Sequence, residues 1–121
     1  MEVILDSNFI ISCLKKKIDF ISQLEEEGFK VILPREVYQE LKDLKMKVNT
    51  EERALIGVAL ELFDSKKIKK MTLGGKNVDE GLILKGREGY YIATLDGAIR
   101  RIISNVIIIN SAGNKILVER K

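Results

Sequence analysis

The chain alternates short apolar runs with longer segments in which apolar residues recur at helical spacing. Five runs predict the strands of a central sheet, the third of them weak, and a sixth run predicts an edge strand. The predicted strands cover residues 3–5, 31–33, 68–73, 90–95, 106–109 and 115–119. The segments between them predict helices within residues 9–14, 18–24, 34–44, 49–63, 77–85 and 99–103.

Residues of capping type define where several helices begin. Pro34 fits the first turn of the third helix. Asn49 with Glu52, and Asn77 with Glu80, fit capping boxes that open the fourth and fifth helices. The third helix carries an apolar stripe of Val37, Leu41 and Leu44. The fourth is expected to bury Leu55, Val58, Ala59, Leu62 and Phe63 on its inner face.

This order of elements predicts an α/β fold. Continuous apolar strands separated by helices indicate a mostly parallel sheet covered on both faces, because parallel strands need crossover connections. Right-handed crossovers then give a three-layer α/β/α sandwich. The length of 121 residues suits a single domain over residues 1–121.

Composition excludes several kinds of active site. The chain has no histidine and one cysteine, Cys13, so a Ser-His-Asp triad, a disulfide framework and a multi-cysteine zinc site are all excluded. Hydrolytic chemistry must therefore use carboxylates, lysines, hydroxyls or a metal held by oxygen. The net charge of +3 permits a polyanionic partner. With no membrane-length apolar run and no signal peptide in view, we expect a cytoplasmic protein without a membrane partner.

Acidic residues lie where a parallel sheet binds its ligands, at the carboxyl ends of strands near a topological switch point. Asp6 follows the first predicted strand and Asp96 follows the fourth, so the two carboxylates face each other if these strands are neighbours. Asp79 belongs to the first turn of the fifth helix. Glu40 lies at helical spacing from Val37 and Leu41, at the edge of a core-facing stripe.

Each acid also has a structural interpretation. Asp6 and Asp96 could be N-caps, and Asp79 could be a first-turn acid favoured by the helix dipole. Glu40 could point outward or pair with Lys42 or Lys45. The conjunction of four acids favours a bound cation, since clustered carboxylates repel without one. An oxygen-only site selects a hard ion, Mg²⁺ or Mn²⁺.

Four segments around these acids carry a family resemblance: VILDSNFII, VILPREVYQELKDL, NVDEGLI and YIATLDGAIRRI. The chain resembles the PIN-domain nucleases, which are metal-dependent phosphodiesterases with a parallel-sheet α/β/α fold. The resemblance implies that Asp6, Glu40, Asp79 and Asp96 are catalytic, that Asp6, Asp79 and Asp96 ligate the metal, and that Ser7, Asn8 and Thr94 support them. One departure is Ala98, where many members carry an acid or amide that helps a second ion.

The resemblance implies an Mg²⁺- or Mn²⁺-dependent endoribonuclease in which water attacks phosphorus in line. The segments DSNF, NVDEGLI and GNKILVE are most similar to stand-alone archaeal relatives of the pre-ribosomal RNA cleavage branch, and the toxin branch of toxin–antitoxin pairs is also similar. Expected partners are RNA, a second copy in a homodimer, and an antitoxin or a pre-ribosomal partner. The alternative is a non-catalytic RNA- or protein-binding scaffold, which Ala98 motivates.

Two basic segments are expected to contact RNA phosphates beside the scissile bond. They are Lys15, Lys16 and Lys17 after the first helix, and Arg100 and Arg101 after Asp96. Such contacts position a strand without reading its sequence. Other phosphate-binding folds fit less well: the first strand is not followed by G-x-G-x-x-G, and Gly74-Gly75-Lys76 lies outside any P-loop pattern.

Overall fold

A computed structural model describes residues 1–110 and 112–120 as a three-layer α/β/α sandwich. The strands are β1 (Glu2–Leu5), β2 (Lys30–Pro34), β3 (Lys69–Met71), β4 (Tyr91–Ala93), β5 (Asn105–Asn110) and β6 (Lys115–Arg120). The helices are α1 (Ser7–Lys15), α2 (Phe20–Glu26), α3 (Arg35–Lys45), α4 (Thr50–Ser65), α5 (Val78–Arg87) and α6 (Gly97–Ile102). The predicted fold class is confirmed.

The strands form one sheet in the order β3-β2-β1-β4-β5-β6. All neighbouring pairs are parallel except β5 and β6, which pair antiparallel and place β6 at the edge. From β1 the chain builds the sheet in one direction through β2 and β3, and then returns to the other side of β1 with β4. The switch point therefore lies between β1 and β4, which are neighbours as the site prediction required.

Alternate residues of the strands face opposite sides of the sheet and pack in two separate cores. Val3 and Leu5 pack with residues of α1, α2, α3 and α4 on one face of the sheet. Ile4 packs on the other face, with Leu82 of α5 and Ile99 of α6. Cys13 lies fully buried in the first core, where desolvation raises the pKa of its thiol to about 12.

Several predicted boundaries and faces are wrong in detail. Pro34 is not in the first turn of α3: it has ψ 140°, pairs with Met71 as the last residue of β2, and is the N-cap of the helix. Val58 is 62% exposed, whereas Ile56 is buried in its place. The face of α4 that is covered depends on where α1 and α3 pack, and this rotates the buried stripe away from Val58.

The short, weak strand predicted within residues 68–73 is confirmed as β3, whereas β4 is shorter than the predicted 90–95. β3 ends at Met71 and β4 ends at Ala93, because the residues that follow turn away to make side-chain hydrogen bonds. α1 begins earlier than predicted, at Ser7, directly after Asp6. In residues 1–110 and 112–120, no helix is long and apolar enough to span a membrane.

Candidate functional site

Asp6 lies at the carboxyl end of β1, beside the switch point. Its backbone N–H donates to the Ala93 carbonyl at 2.9 Å, which carries the β1–β4 pairing one residue past the strand. The side chain is 5% exposed, and both oxygens accept hydrogen bonds. Oδ1 accepts from Ser7 N at 2.8 Å and caps α1, while Oδ2 accepts from Thr94 Oγ1 at 2.7 Å. The interpretation of Asp6 as an N-cap is thus correct for Oδ1, whereas Oδ2 faces the end of β4.

Asp96 is held by the turn that follows β4. Its backbone N–H donates to Thr94 Oγ1 at 3.2 Å, so a single hydroxyl contacts both Asp6 and Asp96. Asp96 Oδ1 accepts from Ala98 N at 2.8 Å and caps α6. Asn8 Oδ1 accepts from Leu95 N at 3.1 Å and ties the first turn of α1 to the same turn.

Glu40 projects from α3 at the exposed edge of its apolar stripe. It lines an open groove of about 310 Å³ together with Ser7, Asp43 and Lys47. The described part of the chain gives Glu40 no ion pair with either candidate lysine, and Lys42 lies instead over the Tyr38 ring. The groove residues Asp43 and Lys47 were missed in the sequence, although they follow Glu40 by three and seven positions and so share its face.

Asp79 lies in the exposed first turn of α5. Asn77 Oδ1 caps this helix by accepting from Glu80 N at 2.8 Å, as the capping box predicts. The Glu80 carboxylate accepts from Lys76 N at 3.3 Å rather than from Asn77. The described residues donate no hydrogen bond to Asp79 or to Asp96 Oδ2, which leaves these oxygens available to a ligand.

The four acids form one electrostatic group. Burial raises the pKa of Asp6, with smaller upward contributions from the charges of Asp79 and Asp96, while hydrogen bonds from Thr94 and Ser7 oppose the rise. The pKa of Glu40 is also raised, first by desolvation and then by the charges of Asp6 and Asp79, against hydrogen bonding from the Ser7 side chain. We call Asp6, Glu40, Asp79 and Asp96 the acidic group.

The chemistry of the acidic group fits a hard divalent cation. Its donors are all carboxylate oxygens, and a positive charge among them would oppose the rise in the pKa of Asp6, which comes mainly from burial and to a smaller extent from the charges of Asp79 and Asp96. Across residues 1–110 and 112–120, no group of three or more Asp, Glu or Cys side chains is arranged so that it could hold a metal ion. Mg²⁺ commonly binds through only one or two carboxylates, with waters and substrate phosphates as its other ligands.

The predicted basic residues lie at different distances from this group. Lys15 is at the far end of α1, about 12 Å along the helix axis from Ser7, and pairs with Glu52 at 3.2 Å. Lys16 and Lys17 follow it and are exposed. The structure therefore does not bring this segment to Asp6.

The two arginines of α6 differ from each other. Arg100 is half-buried and contacts Glu119 of β6 at 3.4 Å. Arg101 is exposed and folds back toward the start of α6, where its Nη1 lies 3.4 Å from the point that a Gly97 Cβ would occupy. Of the basic residues predicted to contact RNA, Arg101 places its guanidinium near Gly97, which follows Asp96 in the chain.

Comparison with known proteins agrees with this architecture. A solved structure of the PIN domain endonuclease Utp24 is 23% identical in sequence and superposes with a TM-score of 0.75, over 99% of this chain and 92% of that chain. A search of curated protein sequences finds no match. The model of the family described as PIN like domain matches residues 3–110, which include all four acids, Ser7, Asn8 and Thr94. The chain therefore belongs to the PIN-like domain family.

Proposed function

We propose that this protein is an Mg²⁺- or Mn²⁺-dependent endoribonuclease. The observation that carries the proposal is the convergence of the acidic group at the β1–β4 switch point, in a chain of the PIN-like family. Similarity to a PIN domain endonuclease supports phosphodiester cleavage as the reaction. RNA as the substrate, and the identity of the metal, rest on the sequence resemblance and on the oxygen-only donors.

In this proposal Asp6, Asp79 and Asp96 hold the ion, directly or through water. When bound, such an ion neutralises phosphate charge and lowers the pKa of water. Thr94 and Ser7 keep Asp6 oriented, since both donate to its carboxylate. Asn8 fixes the turn that carries Asp96.

Glu40 is assigned to orient the attacking water and accept its proton. Its raised pKa brings this carboxyl closer to neutral pH, which favours a general base. The open groove beside it, with Lys47 on its wall, is assigned to the RNA strand. Arg101 is assigned to a phosphate next to the scissile bond, because its guanidinium is exposed and lies near Gly97 at the start of α6.

The test is cleavage of an end-labelled structured RNA in chelator, in Mg²⁺ and in Mn²⁺. We expect metal-dependent products that Asp6→Asn abolishes, because asparagine retains the cap of α1 and removes the charge. Asp19→Asn is the matched control: Asp19 is also an N-cap acid, accepting from Ser22 N at 3.3 Å, and it does not act on the pKa of Asp6 or Glu40. Cleavage by Asp6→Asn at the rate of the unaltered protein would contradict the assignment.

We propose pre-ribosomal RNA cleavage as the biological role, in preference to a toxin role. The DSNF, NVDEGLI and GNKILVE segments support this choice. Sequencing of fragments from rRNA precursors incubated with the protein tests it. Cleavage at one or a few fixed positions supports the role, and indiscriminate cleavage of messenger and transfer RNA contradicts it.

A non-catalytic RNA-binding scaffold is the second candidate function. Two features favour it: Ala98 departs from the acid or amide that the family resemblance implies at this position, and no group of three or more acids in the described part of the chain is arranged so that it could hold a metal ion. This function predicts salt-sensitive RNA binding without cleavage in any metal. Products that appear with Mn²⁺ and disappear with chelator would exclude it.

A further inference from the structure

Glu36 connects α3 to a segment far along the chain. Both of its carboxylate oxygens accept from Leu73 N, at 3.2 and 3.0 Å. An acid in the first turn of a helix usually faces the free N–H groups of its own helix. Here the carboxylate reaches the segment that leaves β3, and Arg35 Nη1 donates to Thr72 Oγ1 at 3.0 Å beside it. The first turn of α3 thus holds residues 72 and 73 in place.

Gly81 of α5 holds the same segment from the other side. A Cβ at Gly81 would lie 2.7 Å from the Gly74 carbonyl oxygen and 2.7 Å from Leu73 Cβ, so α5 and this segment touch backbone to backbone. Leu73 is 4% exposed and packs in the same core as Leu82 of α5. Leu73 is therefore fixed between α3 and α5, with little freedom to move relative to either helix.

This arrangement joins two members of the acidic group. Glu40 lies one turn after Glu36 on α3, and Asp79 lies two residues before Gly81 on α5. These helices are on opposite faces of the sheet, so their relative position depends on what links them at the carboxyl edge. The contacts of Glu36 with Leu73, and of Leu73 with Gly81, provide one such link.

We propose that Glu36 is a positioning residue, which sets through Leu73 and Gly81 where α5 presents Asp79 to the rest of the acidic group. Its consequence for metal binding rests on the proposed function. Glu36 does not touch the ion or the substrate in this assignment. Asp6 and Asp96 are held independently through Thr94, so loss of Glu36 displaces Asp79 alone.

The first experiment tests the link without any metal. Backbone amide spectra and hydrogen exchange are compared for the unaltered chain, Glu36→Ala and Glu36→Gln. Glu36→Ala should speed exchange at Leu73 and shift the amide signals of Val78, Asp79 and Glu80. Glu36→Gln retains an acceptor oxygen and should restore both. Signals of Asp6 and Asp96 should stay in place in all three proteins.

The second experiment measures binding of Mn²⁺ alone, by a double-mutant cycle with Asp79→Asn. Glu36→Ala should weaken binding about tenfold, at the lower end of the range for residues that hold ligands in position. In the Asp79→Asn background the same change should cost less than about twofold, because Glu36 acts through Asp79. Asp64→Ala is the control, since Asp64 accepts hydrogen bonds from Tyr38 of α3 and Lys70 of β3, and its loss leaves the Glu36–Leu73 hydrogen bond in place.

Three results would overturn the inference. One is an unchanged Leu73 exchange rate or unchanged α5 signals in Glu36→Ala. Another is an equal loss of Mn²⁺ binding with and without Asp79, which indicates a general structural role. The third is failure of Glu36→Gln to restore the signals. Absence of Mn²⁺ binding in the unaltered chain, with the expected amide changes, contradicts the proposed function and supports the positioning link.

Discussion

Thr94 Oγ1 lies 2.7 Å from Asp6 Oδ2, joining residues 88 positions apart in the sequence. Asp6 and Thr94 are the two polar residues that are buried in the described part of the chain. The hydroxyl has one proton, and the short distance directs it to Asp6, which leaves the Thr94 oxygen to accept from Asp96 N. One threonine therefore orients an acid on each side of the switch point.

Thr94→Val should destabilise the protein and raise the pKa of Asp6 further. Valine has nearly the same shape but cannot donate, so a buried carboxylate loses its partner, at a cost of about 1–3 kcal/mol in the free energy of unfolding. Urea unfolding at pH 7 measures this loss. Thr94→Ser retains the hydroxyl and is the control; equal losses in the two variants would show that the methyl group matters and the hydrogen bond does not.

The pH dependence of stability follows from the sign of the Asp6 shift. The folded state holds the pKa of Asp6 above its ordinary value of 3.8, so between these two pKa values the folded chain binds more protons than the unfolded chain. In chelator, the contribution of Asp6 to stability is present at low pH and is lost as pH rises through the folded pKa.

Asp6→Asn removes this pH dependence. We expect the variant to be more stable than the unaltered chain at pH 7, on the order of 1 kcal/mol, with the difference vanishing below about pH 4. Thermal unfolding in chelator at several pH values tests this. Adding Mn²⁺ should stabilise only the unaltered chain. A variant that is less stable at pH 7 would contradict the raised pKa.

Two glycines of α5 offer a paired test of packing against positioning. A Cβ at Gly81 meets the backbone of the segment after β3, whereas a Cβ at Gly86 lies 2.7 Å from Ile103 Cγ2. Both alanine variants should lose about 1–3 kcal/mol in urea unfolding. Gly81→Ala should also lose Mn²⁺ affinity, and Gly86→Ala should retain it. Equal effects of the two changes on Mn²⁺ binding would contradict a specific role of Gly81.

Ala98→Asp should strengthen the binding of divalent cations. Ala98 is exposed. Its backbone N–H donates to Asp96 Oδ1 at the start of α6, and a change of side chain retains this hydrogen bond. An acid in the first turn of α6 is also favoured by the helix dipole. We expect Mn²⁺ affinity to rise about tenfold, measured by titration, and cleavage to rise with it. Ala98→Ser is the uncharged control, and an unchanged affinity in Ala98→Asp would indicate that Ala98 does not face the ion.

The sequence predicted the parts of the molecule that local patterns determine. Apolar runs located the strands, and capping residues located the starts of α4 and α5. The position of Asp6 and Asp96 followed from the rule that parallel strands end at one edge. The strands and helix starts depend on residues within a few positions of each other, which is why spacing alone revealed them. The position of Asp6 relative to Asp96 also required that β1 and β4 be neighbours in the sheet.

Other features depend on how distant elements pack. The exposure of Val58 depends on the neighbours of α4, and no property of its own helix reveals it. The hydrogen bond that Leu73 N–H donates to Glu36 joins residues 37 positions apart, and no sequence motif predicts it. The remoteness of Lys15 from the acidic group could have been anticipated, because a helix that starts at the carboxyl edge runs away from it.

The buried thiol of Cys13 offers a way to measure local opening of the helix that follows Asp6. A thiol reacts as its thiolate, and burial suppresses this form in the folded chain. An alkylating reagent can therefore react with Cys13 quickly only when the packing around α1 opens. Since α1 starts at the Asp6 cap, opening of this packing along the whole helix would also release the cap that Asp6 provides. The alkylation rate therefore measures how often this packing opens, and the sulfur atom that reports it does not belong to the acidic group.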